Sequence, residues 1–228
     1  MMKISVLGSG SVGRAISGAL ADLGNEVSLG TRDVDGLMAR TEPDAMGRPP
    51  FAEWHAGHTS VEVRTFEDAA RDAEIVFNCT AGAGSLNALQ AAGAANLDGK
   101  ILIDTANPLD FSRGMPPGLD PAITDSLAEQ IQRTFPETRV VKALNTVTAG
   151  LMVNARALAD ADHTLFVCGD DAEAKAEVTR MLHDWFGWTD VFDVGDVTAA
   201  RGLEAYLMLW IQLWHAAGTP MMNVKFVR

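Results

Sequence analysis

The sequence predicts an α/β fold: a doubly wound, mostly parallel sheet followed by a small helical C-terminal segment. Three observations carry this expectation. Short apolar strand-like runs alternate with helix-like ones over roughly the first 190 residues, the order that right-handed β–α–β crossovers produce. Several of the runs are unbroken, as in Ile75-Val76-Phe77, Ile101-Leu102-Ile103 and Leu165-Phe166-Val167, which suits strands covered on both faces. A glycine-rich turn joins the first strand to the first helix.

In chain order, strands are expected at 3–8, 26–30, 61–65, 74–80, 100–105, 139–145, 164–169 and 188–194. The first helix is expected at 11–23, where Val12, Ile16, Ala19, Leu20 and Leu23 form one apolar stripe and Gly24 supplies the stop. Two stretches break the alternation. Residues 41–60 carry three prolines, two glycines and the aromatic group Trp54, His55 and His58, and residues 108–121 carry four prolines and two glycines. Both read as surface loops of the length that often serves as a lid, and in such a loop His55 and His58 read as solvated side chains. Residues 199–217 form a helix that is apolar nearly all round, with Leu203, Tyr206, Leu207, Leu209, Trp210, Ile211, Leu213 and Trp214. That pattern belongs to a buried helix, here in a small C-terminal unit or at the interface of a homodimer.

Composition limits the function. The 228 residues are 47% hydrophobic and 21% charged, an ordinary globular balance that can bury a core without staples. The net charge of −12 repels phosphate backbones, so neither nucleic acid nor an anionic membrane is expected as a partner. Cys79 and Cys168 each lie in an apolar run and read as buried thiols in a reducing cytoplasm, not as a disulfide framework. Residues 1–7 are too short for the apolar part of a signal peptide, and no stretch is long and apolar enough for a membrane span.

The glycine turn is the motif G-x-G-x-x-G, here Gly8-Ser9-Gly10-Ser11-Val12-Gly13. It follows a strand and opens a helix, the context that turns a weak pattern into a dinucleotide signal. Gly8 allows the tight turn, Gly10 lets the pyrophosphate approach the backbone, and Gly13 lets helix and strand pack closely. This makes residues 1–194 a Rossmann-type cofactor domain, with 195–228 completing an acceptor pocket or dimer interface. The second strand selects the cofactor. An NAD site places an acid at its end to hold the ribose 2′-hydroxyl, whereas this chain has Thr31 and Arg32, beginning eighteen residues beyond Gly13. A hydroxyl beside a guanidinium suits a 2′-phosphate and so NADP. Asp33 is the contrary residue, and its plainer role is the N-cap of the next helix.

Ligands of open α/β sheets bind outside the C-terminal strand ends. Three later strands end in small polar groups there: Cys79-Thr80-Ala81-Gly82, Asp104-Thr105-Ala106-Asn107-Pro108 and Leu144-Asn145-Thr146. Turn chemistry explains each singly; together they offer hydrogen bonds to a nicotinamide or a second planar ring. Tyr206 is the one tyrosine and Trp210 follows it by four, so no Tyr-x-x-x-Lys donor exists. There is no zinc spacing and no G-x-S-x-G. Hydride transfer between stacked rings needs proximity and orientation more than an acid–base pair, and no catalytic side chain is assigned.

With these residues in view the chain resembles the NADPH-dependent reductases of coenzyme F420, an 8-hydroxy-5-deazaflavin, and the bacterial dinucleotide-binding oxidoreductases grouped with them. The resemblance runs over nearly the whole chain. It is carried by residues 4–13, Gly30-Thr31-Arg32, Val140-Val141-Lys142-Ala143-Leu144-Asn145-Thr146, Val167-Cys168-Gly169-Asp170-Asp171, Arg201-Gly202-Leu203-Glu204 and Asn223-Val224-Lys225-Phe226. It implies NADP along Ser9, Gly10, Ser11 and Val12, with Thr31 and Arg32 at the 2′-phosphate and Thr80, Ala81 and Ala149 along the nicotinamide half. F420 would be the second substrate, stacked beside the later strand ends, where Asn107 and Asn145 lie. Two departures stand out. Archaeal members carry histidine-threonine-isoleucine-proline where this chain has Asn145-Thr146-Val147-Thr148, and they place a lysine shortly after the phosphate-site arginine where 34–39 contain none. Two further readings stay open: an imine or pyrroline-carboxylate-type reductase, whose helical C-terminal domain is longer than the residues available here, and a non-catalytic dinucleotide sensor.

Overall fold

The computed structural model describes residues 1–43, 47–120 and 124–228. The elements run β1 (Lys3–Leu7), α1 (Ser11–Asp22), β2 (Glu26–Thr31), α2 (Val34–Met38), α3 (Phe51–Ala56), β3 (Glu62–Thr65), α4 (Phe66–Arg71), β4 (Ile75–Asn78), α5 (Gly82–Ala92), α6 (Ala94–Leu97), β5 (Ile101–Asp104), β6 (Leu109–Asp110), β7 (Gly118–Leu119), α7 (Leu127–Thr134), β8 (Arg139–Ala143), α8 (Ala149–Met152), β9 (Thr164–Cys168), α9 (Ala172–Phe186), β10 (Asp190–Asp193) and α10 (Ala200–Ala217). The main sheet has eight strands in the order β10-β9-β8-β5-β4-β1-β2-β3. Six of them, β3 to β8 in that order, are parallel; β9 pairs antiparallel with β8, and β10 runs parallel to β9. The fold is the mostly parallel, doubly wound α/β sheet that the sequence predicts.

The strands divide their side chains between two cores. Ile4, Val6, Val27, Leu29, Ile75, Phe77, Ile101, Ile103 and Val141 join Ile16 and Leu20 of α1 and Val178 and Leu182 of α9. Leu7, Val76, Leu102 and Val140 join Leu89 of α5 and Leu127 and Ile131 of α7. Burial on both faces explains why these strands read as unbroken apolar runs.

All eight strands of the main sheet lie where the sequence places them, but six stop one or two residues earlier than expected, β1 at Leu7, β9 at Cys168 and β10 at Asp193 among them. β4 ends at Asn78, β5 at Asp104 and β8 at Ala143. Cys79 and Thr105 still donate to the Leu7 and Asn78 carbonyls at 2.8 and 3.1 Å before the chain leaves the sheet, whereas after β8 it turns at once, Leu144 taking a left-handed φ of 65°. Helix α1 ends at Asp22, with Gly24 at φ 82° as the stop. Leu23 is half exposed instead of lying in the apolar stripe.

The two proline-rich stretches are more ordered than loops. Phe51–Ala56 is a helix, its Phe51 buried, and the Trp54 ring stacks on His58 at 4.4 Å. His58 lies over Gly18, where a Cβ would come within 3.0 Å of the imidazole. His55 Nε2 meets the Val61 carbonyl at 2.9 Å. Both histidines therefore pack and hydrogen-bond, correcting the expectation that they are solvated. In the second stretch Leu109 and Asp110 pair antiparallel with Leu119 and Gly118. Residues 44–46 and Pro121, parts of the two expected loops, lie outside the described residues.

Within the chain, helix α10 is covered on one face only. Leu203, Leu207, Trp210 and Ile211 are buried, whereas Leu209 is 55% and Leu213 is 39% exposed. Within the buried stripe sits a charged residue, Glu204.

Candidate cofactor and acceptor site

The glycine turn is built as its three positions require. Gly8 adopts φ 114°, and a Cβ there would come 2.6 Å from the Cys79 carbonyl oxygen. A Cβ on Gly13 would come 1.8 Å from the Gly8 carbonyl oxygen, so only glycine lets α1 pack this closely. At Gly10 a Cβ would meet nothing within 4 Å. Gly10 is the N-cap of α1 and gives no side-chain cap, so the first-turn N–H groups stand beside an open face that suits a pyrophosphate. Ser9, Ser11 and Val12 line this turn, half-buried. Arg14 donates to the Ser9 carbonyl at 3.1 Å and the Pro49 carbonyl at 2.8 Å. It thereby ties the turn to the segment before α3, beside a cleft of about 510 Å³ that also touches Arg40, Thr41 and Phe51.

At the end of β2, Thr31 is nearly buried and Arg32 is exposed. The Asp33 carboxylate accepts the Gly36 N–H at 2.9 Å and caps α2.

The other strand ends are joined by a polar network. The Thr80 hydroxyl lies 2.6 Å from Asn78 Oδ1 and 2.7 Å from Ser85 Oγ. The Asn78 amide donates to Asp104 Oδ1 at 2.8 Å, and Asp104 Oδ2 accepts from Lys142 at 2.8 Å. Asn107 donates to the Asn145 carbonyl at 2.9 Å, while the Asn145 amide donates to Asn107 Oδ1 at 3.0 Å and to the Leu203 carbonyl at 3.1 Å. Ala81 is the exposed N-cap of α5, and Ala149 opens α8, half-buried. The sequence-predicted residues thus fall into two groups on the C-terminal side of the parallel strands, Ser9 to Gly13 with Thr31 and Arg32 at the first two strands, and Thr80, Ala81, Asn107 and Asn145 at the later ones. Asn145 is only 1% exposed, so it reaches the surface through Asn107 and not directly.

Sequence reasoning missed Asp104, Lys142 and Glu204 as a buried ionic cluster. The available signal was a lysine inside an apolar strand run and a glutamate inside an apolar helix stripe. Burial lowers the pKa of the Lys142 ammonium, but the Asp104 and Glu204 charges override it and hold the pKa above the usual lysine value. Burial pushes the Cys79 and Cys168 thiols up to about 12, so neither is a thiolate near neutral pH. His163 is buried with both ring nitrogens engaged, by the Ala155 carbonyl and the Asn223 amide. Among the described residues no cluster of histidine, cysteine or carboxylate side chains could hold a metal ion, and no helix is long and apolar enough to cross a membrane.

Residues 3–108 match the family model described as NADP oxidoreductase, coenzyme F420-dependent. The crystal structure of a candidate F420-dependent NADP-reductase from Arthrobacter sp. FB24 is 56% identical, covers 100% of both chains and superposes with a TM-score of 0.96. An imine reductase from Streptomyces aurantiacus, 17% identical with a TM-score of 0.63, covers 94% of this chain. One from Myxococcus stipitatus in complex with NADP⁺, 18% identical with a TM-score of 0.61, covers 95%. Those two share the fold, and this chain spans only 63% and 62% of their length. No protein of curated function matches the chain.

Proposed function

The chain belongs to the family of coenzyme F420-dependent NADP oxidoreductases and is an NADP-dependent oxidoreductase; from that premise we propose that it transfers a hydride between NADP(H) and a planar acceptor, a deazaflavin of the F420 type. The observation that carries this reading is the open face at Gly10, flanked by an uncapped helix N-terminus, on the same sheet edge as the Thr80, Asn107 and Asn145 strand ends.

The first-turn N–H groups of α1 bind the pyrophosphate, with Ser9, Gly10, Ser11 and Val12 along it. Thr31 and Arg32 hold the 2′-phosphate, and the capping role of Asp33 keeps its carboxylate hydrogen-bonded to α2. Thr80, Ala81 and Ala149 border the nicotinamide. Asn107, braced by Asn145, fixes the second ring. When bound, NADPH supplies the hydride; the residues' contribution is to hold two rings in contact and exclude water. The hydroxyls and amides at these strand ends do not titrate near neutral pH, which suits a hydride transfer to ring carbon whose accompanying proton the reduced ring takes up from solvent. The exposed Leu209 and Leu213 of α10 meet a second copy in a homodimer.

The test is NADPH oxidation by the purified protein with an 8-hydroxy-5-deazaflavin, with riboflavin and with a cyclic imine. Turnover with the deazaflavin far above the other two supports the reading. A preference for the imine would move the assignment to a reductase that must also deliver a proton.

A further inference from the structure

Beneath the strand ends lies a charge cluster that no ring in the site would touch. Lys142 is fully buried. Its ammonium donates to Asp104 Oδ2 and Glu204 Oε1, each at 2.8 Å, and to the Ala106 carbonyl at 2.6 Å. All three of its N–H bonds are therefore used. The other Asp104 oxygen accepts the Asn78 amide at 2.8 Å and the Ala106 N–H at 3.2 Å. Glu204, arriving from α10, accepts the N–H groups of Leu127 at 2.9 Å and Ala128 at 3.2 Å at the start of α7.

A well-packed apolar side chain would stabilise this interior at least as well, because a buried ion pair loses much of its attraction to desolvation. What the cluster adds is geometry. Ala106 is gripped twice, its N–H by Asp104 and its carbonyl by Lys142. The next residue is Asn107, which exchanges hydrogen bonds with Asn145. Asn145 also holds the Leu203 carbonyl, one residue before Glu204. Lys142 and Asn145, three residues apart, thus each bind both the β5 turn and α10.

We infer, resting on the hydride-transfer reading above, that Lys142 is a positioning residue for that reaction: through Ala106 and Glu204 it sets the spacing between the Asn107–Asn145 pair and α10, and so the wall that holds the second ring. It touches neither substrate.

Removing the ammonium has a consequence that loss of packing alone lacks. The charged or titratable groups around it are Asp104 from β5, Glu204 from α10, Cys168 opposite it on β9, Cys79 after β4 and, beyond Cys168, Lys175 of α9. Both thiols stay neutral near neutral pH. Without Lys142 the two carboxylates are like charges in a buried site, and one takes up a proton as the pH falls. Replacing Asp104 by asparagine together with Lys142 by methionine restores the net charge of the native cluster.

The experiment uses the full chain and measures NADPH affinity and single-turnover hydride transfer from about pH 6 to 8.5 for the native protein, Lys142→Met and the double variant Asp104→Asn/Lys142→Met. In Lys142→Met at about pH 8 the transfer rate is expected to fall on the order of 10-fold while NADPH affinity stays within about twofold. Part of the rate returns at about pH 6, and the double variant recovers most of it. Lys142→Met transferring hydride at the native rate across this range, or losing rate only in step with NADPH binding, would overturn the inference. Should Lys142→Met not fold, Glu204→Gln takes its place: it leaves Lys142 paired with Asp104 and is expected to slow transfer without weakening NADPH, and a native rate would count against the inference. A native protein that transfers no hydride to any planar acceptor removes the underlying reading, and the inference with it, before any variant is made.

Discussion

The Asp33 carboxylate and the Gly36 N–H meet at 2.9 Å, so the acid that follows Arg32 is committed to capping α2. On the proposed reading, the exposed Arg32 beside it meets the 2′-phosphate. Arg32→Ala is expected to weaken NADPH binding by roughly 2–3 kcal/mol, the loss of a charge-assisted contact, and to leave NADH binding nearly unchanged. Titration of both cofactors checks this. Equal loss for the two, or a native preference for NADH, would remove the 2′-phosphate assignment.

The two outer glycines of the turn and the one between them should separate folding from binding. Gly13→Ala drives a methyl into the Gly8 carbonyl, 1.8 Å away, and should lower the melting temperature by several degrees along with cofactor binding. Gly10→Ala adds a methyl to open space, so the melting temperature should hold while NADPH affinity falls about tenfold or more. Thermal melts beside equilibrium binding read the difference. Native affinity in Gly10→Ala would place the pyrophosphate elsewhere.

Much of this arrangement is legible in the sequence. Unbroken apolar runs give the strand positions because the sheet is covered on both faces, and G-x-G-x-x-G in its strand-to-helix setting gives the turn. What is not legible has physical reasons. Strand ends are misjudged by one or two residues at Asn78, Asp104 and Ala143, since apolar or small residues continue past the point where the ladder stops. Trp54 and His58 look like loop residues because a six-residue helix between Pro50 and Gly57 leaves too short a periodic pattern. The pairing of Lys142 with Glu204 spans 62 residues, and only tertiary structure brings such partners together. Leu209 and Leu213 look buried by composition, but a helix at the rim of the fold covers one face alone.

Asn145→Ala should act on turnover and not on cofactor capture. It removes the donor to Asn107 and to the Leu203 carbonyl, so Asn107 loses its brace. Turnover is expected to fall by about 10- to 100-fold through misplacement, with only a modest change in NADPH affinity. A loss confined to NADPH affinity would move Asn145 to the cofactor half of the site.

The pH behaviour has two parts. With no titrating pair at the strand ends, the chemical step should vary little between about pH 6 and 8. Stability changes at the extremes. The hydrogen bond from Arg139 holds the Asp171 carboxyl down at about 2. A depressed carboxylate contributes stability that is present above its unfolded value near 3.8 and is lost as the pH falls through about 2. The raised Lys142 ammonium works the other way: its contribution is complete below the unfolded value of 10.5 and is lost as the pH rises through the higher folded value. Arg139→Ala should therefore move acid unfolding to higher pH and leave the alkaline limb unchanged. Circular dichroism against pH reads both limbs, and an unmoved acid midpoint would contradict the assignment.

The exposed Leu209 and Leu213 on α10 predict a dimer in solution. Light scattering at micromolar concentration should give twice the chain mass, and Leu209→Asp/Leu213→Asp should give a folded monomer. A native monomer under the same conditions would rule the interface out.

The central claim is direct transfer of hydride between two rings at the sheet edge, and isotope tracing tests it most directly. The native protein is mixed with NADPH deuterated at the transferring position of the nicotinamide and an 8-hydroxy-5-deazaflavin in ordinary water. Because a deazaflavin accepts hydride on carbon, the label should appear in the reduced deazaflavin, with transfer slowed by the heavier isotope. Reduced product free of label would show that the hydrogen came through solvent or a protein acid. Failure to reduce the deazaflavin at all, with NADPH demonstrably bound, would contradict the assignment of the acceptor.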